Sequence, residues 1–192
     1  MAVIKVFPGD VDKKLAEVFT LYGYDGASME FLSRATGLKK ASLYHRFPGG
    51  KKEMALHVLS NIETWFRENF DAVIQKTELP IDLRLQKALE SISTLFSDGD
   101  RNCPLRMLSA GSESSTFQEP IARCFTIIKE GFMKIGTENG LSQKVAEAKA
   151  TDAIIDIQGS LILSRAMNDN QIFRTSLAAI PELLGKQENK KE

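Results

Sequence analysis

The chain has 192 residues, 43% hydrophobic and 26% charged, with 25 Lys/Arg balanced by 25 Asp/Glu. That composition suits a globular protein with a sizeable core, either one large domain or a small domain fused to a larger one. No apolar run approaches the ~18 residues of a membrane span, the opening residues hold no secretory core, and Cys103 and Cys124 make no disulfide framework, so a cytoplasmic setting with two buried thiols is expected.

Apolar residues recur at helical spacing almost throughout, without an alternating strand pattern or an internal repeat, which predicts an all-α protein. A first helix is expected over 10–22, with Val11, Leu15, Val18, Phe19 and Tyr22 on one stripe and Gly23 and Gly26 breaking it. Ser28 reads as the N-cap of a second helix, with Met29 and Leu32 inward and Gly37 closing it. A third short helix is expected over 39–46, stopped by Pro48-Gly49-Gly50. From 52 to 76 runs a long helix bearing Met54, Val58, Leu59, Ile62, Trp65, Phe66, Phe70, Val73 and Ile74, apolar over so much of its girth that it must be covered on two sides. It is expected to join a small N-terminal domain, 1–51, to a larger one, 52–192. Further helices are expected over 82–97, 104–111, 117–138, 143–168 and 171–184, and the charged tail from Lys186 is expected to fray.

The zero net charge hides an asymmetry. Residues 1–60 hold nine Lys/Arg against six Asp/Glu, net +3, and the remainder sixteen against nineteen, net −3. Between Arg34 and Lys52 lie six basic side chains and no acidic one. That run coincides with three helices in about forty residues, the last two joined by Thr36-Gly37-Leu38, the geometry that lays a recognition helix in the DNA major groove. Leu43 and Phe47, one turn apart, should face the core, which leaves Lys40, Ala41, Tyr44 and His45 outward. Lys39 and Lys40 open the helix at its positive end, at a cost of ~0.3–1 kcal/mol that phosphates or guanine edges would offset in a complex.

Residues 10–56 resemble the DNA-binding domain of the TetR family of repressors. The resemblance rests on Gly23-Tyr24-Asp25-Gly26-Ala27-Ser28, on Thr36-Gly37-Leu38 and on Ala41-Ser42-Leu43-Tyr44-His45-Arg46-Phe47. Pro48-Gly49-Gly50-Lys51-Lys52-Glu53 is similar to the LmrA/YxaF-like branch, as are Asn102-Cys103-Pro104-Leu105 and the stretch from Gln158 to Ala166. It implies DNA contacts from Ser28, Lys39, Lys40, Ala41, Ser42, Tyr44, His45, Arg46 and Lys52. Lys39 departs from the family pattern, which usually has Ser or Thr there, so the usual N-cap of the recognition helix is missing. Without the resemblance, Tyr44 reads as a core-edge aromatic and His45 as an ordinary solvated side chain.

The segment Ile154-Ile155-Asp156-Ile157 with Leu161-Ile162-Leu163 is again apolar nearly all round, and the next helix adds Ile172, Phe173, Leu177, Ile180, Leu183 and Leu184. The resemblance implies that these two helices pair with their copies in a homodimer, through Ile157, Leu161, Ile162, Arg165, Phe173, Leu177 and Ile180, with Gly159 and Ser160 allowing close approach. It also implies an apolar effector cavity, expected from Trp65, Phe66, Asn69, Phe96, Met107, Leu108, Phe125 and Ile128. Phe70, Phe132, Ser109 and Glu113 are further candidates, though aromatic and Met stripes at helical spacing also make ordinary core.

The fold expected is therefore an N-terminal helix-turn-helix domain followed by a larger helical ligand-binding and dimerisation domain. The function expected is a repressor released from a palindromic operator by a small effector, without cofactor, metal site or membrane. The alternatives are a helical small-molecule-binding protein or an enzyme that does not touch DNA. The two histidines, His45 and His57, lie far in sequence from either cysteine, and no phosphate loop, Cys-x-x-Cys or nucleophile elbow is present.

Overall fold

The computed structural model describes residues 9–185; every helix or strand assigned among them is a helix. The expected fraying tail from Lys186 lies outside the described residues, as do residues 1–8. The chain forms two compact units, one of Met1–Trp65 with Asn102–Cys124 and the other of Phe66–Arg101 with Phe125–Glu192. The packing boundary thus falls inside the long helix rather than at 51/52, and residues 102–124 pack with the N-terminal helices.

In the first unit, α1 (Asp10–Gly26) buries Asp12, Leu15, Ala16, Val18 and Phe19. It is interrupted at Gly23, whose backbone leaves the helical region at φ 64°, ψ −170°. A side chain there would meet the Met107 carbonyl at 3.2 Å, so α7 (Pro104–Ser109) rests directly on the bend. Tyr22, expected on the inner stripe, is instead exposed and packs on Phe31 at 5.3 Å between ring centroids. Next come α2 (Met29–Thr36), α3 (Lys40–Arg46) and α4 (Gly50–Phe66), the last starting two residues earlier than its sequence suggested.

The long helix does not stay α-helical. Arg67–Asp71 form a π-helical turn before α5 (Ala72–Ile74) closes it. In the second unit α6 spans Ile81–Leu95, followed by a 3₁₀ turn at Ser97–Gly99. Two 25-residue helices and a shorter one follow: α8 (Ser114–Glu138), which starts in the first unit, then α9 (Gln143–Met167) and α10 (Gln171–Leu184). Phe70 meets Phe132 edge-on at 5.2 Å, with Gly131 admitting the ring. Arg84 is buried, donating to the Ile74 carbonyl at 2.8 Å and to the Glu138 carboxylate. Asn168, in the left-handed conformation that Asn tolerates, turns α9 into α10, and the Phe173 amide donates to the Ser164 hydroxyl at 3.1 Å.

Candidate nucleic-acid interface

The helix-turn-helix is set by a short series of local devices. The Ser28 hydroxyl accepts the Phe31 amide at 3.1 Å and caps α2. At the other end Thr36 donates to the Leu32 carbonyl at 2.7 Å, and Gly37 takes the left-handed conformation at φ 71° that a side chain would strain. The Ser33 hydroxyl then reaches across the turn to the Leu38 carbonyl at 2.6 Å. Lys39 is extended and offers no side-chain cap; its carbonyl accepts Ser42 and Leu43 amides at 2.9 and 3.1 Å, and helical geometry begins at Lys40.

Leu43 and Phe47 are buried and anchor α3 from beneath. Lys39, Lys40, Ala41, Ser42, Tyr44 and His45 are exposed together. The Tyr44 ring, 48% exposed, stands beside Gly50, where an added methyl would lie 3.1 Å from Cε1. A short helix is thus held by two apolar side chains while a cationic, hydroxyl-rich row points to solvent, with donors suited to phosphates and base edges.

Two of the expected contacts are otherwise engaged. Arg46 does not stand free: its guanidinium meets the buried Asp12 carboxylate at 3.2 Å and lies 5.4 Å from the Phe47 ring centroid. The Lys52 ammonium sits 3.3 Å from Glu113. The Thr116 hydroxyl and Lys52 hold the Glu113 carboxyl below its usual range, and the Ser112 hydroxyl and amide do the same for Asp25. Lys51 reaches the Tyr24 carbonyl at 2.9 Å and lies over that ring at 4.1 Å, while burial raises the Tyr24 phenol.

Asp12 and His57 escaped the sequence reading. His57 Nε2 is 3.0 Å from the same Asp12 oxygen that takes Arg46. The pattern held one signal: Asp12, Leu15, Ala16 and Phe19 stand at i, i+3, i+4 and i+7, which places a carboxylate on the inner stripe.

Residues 13–58 match the sequence profile of bacterial regulatory proteins of the tetR family, a span that runs from α1 through α3 into α4. The chain is 27% identical to the HTH-type transcriptional regulator LmrA of Bacillus subtilis (strain 168), over 92% of this chain and 97% of that one. It is 25% identical to the uncharacterized HTH-type transcriptional regulator YxaF of the same strain, over 93% and 97%. The chain resembles regulators of the tetR family. It is a DNA-binding transcriptional regulator, similar to the LmrA/YxaF branch, and not an enzyme. Its fold matches the crystal structure of a TetR transcriptional regulator from Legionella pneumophila with a TM-score of 0.76, at 20% identity over 90% of this chain and 94% of that one.

The second unit contains a void of about 10 Å³ lined by Phe66, Ile92, Phe96, Phe125, Ile128, Ile154, Ile157 and Gln158. Four of the expected cavity residues, Phe66, Phe96, Phe125 and Ile128, meet there, and Gln158 is the one polar member. Trp65, Met107 and Leu108 belong to the first unit, with Leu108 fully buried. Asn69 sits half-buried in the π turn and does not line the void.

The expected dimer residues divide by face. Ile157, Leu161, Phe173, Leu177 and Ile180 are buried within the unit, so they supply its core rather than a surface for a second chain. Ser160 also points inward, donating to the Ile157 carbonyl at 2.9 Å. Ile162 is exposed, along with Ile155, Leu163 and Met167, while an added methyl at Gly159 would meet nothing within 4 Å. Arg165 is exposed and donates to the Asp100 carbonyl at 3.0 Å. No helix among the described residues is long and apolar enough to cross a membrane.

Proposed function

We propose that this regulator is a homodimeric repressor that binds a palindromic operator and is released by a small, largely apolar effector. The observation that carries the DNA part is the exposed row Lys40, Ala41, Ser42, Tyr44 and His45, on a helix with no acidic side chain and a buried Leu43. Ser28, Lys39 and Lys52 supply flanking phosphate contacts, Lys52 once it parts from Glu113. Two reading heads are needed for two half-sites about one DNA turn apart. The outer stripe of α9, with exposed Ile155, Ile162 and Leu163 and half-buried Gly159 at i, i+7, i+8 and i+4, supplies the surface that joins them.

The effector reading rests on the void between Phe66, Phe96, Phe125 and Ile128. At about 10 Å³ it has room for roughly one water, so any larger ligand must displace its apolar walls. A ligand that fits one arrangement of those walls and not the other has the unequal affinities that release from DNA requires.

Footprinting on DNA flanking the gene, with a salt titration of the bound duplex, tests this reading. Affinity should fall steeply with salt as several phosphates are neutralised, and apolar compounds should lift the footprint. A protein that ignores every duplex at low ionic strength would leave a helical small-molecule-binding protein as the better reading.

A further inference from the structure

We propose that Asp12 is a positioning residue for the DNA-reading helix, and that Arg46 and His57 serve recognition through it rather than by touching DNA. The Asp12 side chain is 4% exposed, on the inner stripe of α1. Its Oδ1 lies 3.2 Å from Arg46 at the end of α3 and 3.0 Å from His57 Nε2 on α4. One carboxylate therefore joins three helices of one unit, at the end of α3 where Phe47 enters the core.

The packing around these groups fixes their directions. Phe47 is buried and its ring faces the His57 imidazole at 5.3 Å, with the Arg46 guanidinium on its other contact at 5.4 Å. Arg46 is the last helical residue of α3, and the Phe47 amide donates to the Leu43 carbonyl at 2.8 Å. A seven-residue helix has little stability of its own, so tertiary contacts set its direction. Leu43 and Phe47 fix its depth, but two apolar side chains along one line leave it free to roll. A directional charged pair at the end of the helix, off that line, removes the roll. The exposed row from Lys40 to His45 then meets base edges in one register.

The inference rests on DNA binding by α3, and the test separates the two. Full-length protein is used to select a tight duplex from a random-sequence pool, and variants are titrated on it over a range of salt. Lys39→Ala, which removes a phosphate contact, should reduce the slope of log affinity against log salt by about one. Arg46→Gln should weaken binding about tenfold at every salt with the wild-type slope, because the lost charge faced Asp12 and not the duplex. Asp12→Asn should give the same loss, and Asp12→Asn with Arg46→Gln should be no weaker than the weaker single variant. His57→Gln, which keeps a donor in the Nε2 position, should hold affinity within about threefold, and His57→Leu should not.

A slope reduced by about one in Arg46→Gln would place that guanidinium on DNA and overturn the proposal, as would additive losses in the double variant. Equal affinities for His57→Gln and His57→Leu would overturn the His57 role. Circular dichroism confirms that each variant is helical. If Asp12→Asn does not fold, Arg46→Gln and the two His57 variants decide the matter. Wild-type protein that enriches no duplex would remove the DNA-binding reading and this one together.

Discussion

Gly131→Ala adds one methyl at a crowded point of α8. Its Cβ would lie 2.5 Å from Phe70 Cε1, 3.2 Å from Cζ and 3.5 Å from Ile74 Cγ1. The ring cannot swing outward, because Phe70 has no exposed surface and Phe132 meets it edge-on at 5.2 Å. Contacts of this kind sit in the upper part of the overpacking range, about 2–3 kcal/mol. Alanine is the better helix former by about 1 kcal/mol, which leaves a net loss of about 1–2 kcal/mol. For a chain of this length that lowers the melting temperature by about 2–8 °C. Thermal circular dichroism at matched protein concentration reads the shift. A Gly131→Ala protein that melts at or above the wild type would show that Phe70 has room to move, and the close packing of α8 on the long helix would have to be abandoned.

Lys40→Ala with Tyr44→Ala should abolish duplex binding while leaving helicity and oligomeric state unchanged; retained affinity in a gel-shift titration would displace the reading head from α3. Ile162→Glu puts a charge on the exposed face of α9 and should yield monomers by analytical ultracentrifugation, whereas an intact dimer would move the interface elsewhere. Arg84, and secondarily Lys134, hold the Glu138 carboxyl below its usual 4.5. A lowered native value contributes stability above the ordinary value that is lost as pH falls through the native one. Glu138→Gln should therefore melt lower than wild type at neutral pH, with the gap closing as pH drops below about 4.5. A gap that stays constant into acid would dissociate Glu138 from the buried Arg84.

Helix positions were largely legible because caps and breakers are local. Ser28, Gly37, Pro104 and Asn168 each mark an end that the structure places within a few residues of the sequence expectation. The burial of Leu43 and Phe47 was legible for the same reason, since a short helix with two apolar residues has one way to face. The face of α9 was not. It is apolar nearly all round, so sequence spacing gives no preferred side, and only tertiary packing decides that Ile157, against the void with Phe66 and Phe125, and Leu161 turn inward while Ile155 and Ile162 stay outside. The π turn at Arg67–Asp71 was also hidden, because inserting an extra residue into a helical turn needs no distinctive residue type. Arg46 looked like a DNA contact because its partner, Asp12, lies 34 positions away.

The first unit draws on two separate stretches of chain, and this constrains how the molecule can be cut. An N-terminal fragment ending near residue 51 would strip α7 from the bend at Gly23, leave the Asp25 carboxylate without Ser112, and lose His57 from the Asp12 cluster. Phe117, fully buried and edge-on to Tyr24 at 5.1 Å, would be lost from that core as well. Swapping reading heads between relatives at that junction would thus graft an incomplete part. A transplant that includes 102–124 along with 1–65 carries its own supports.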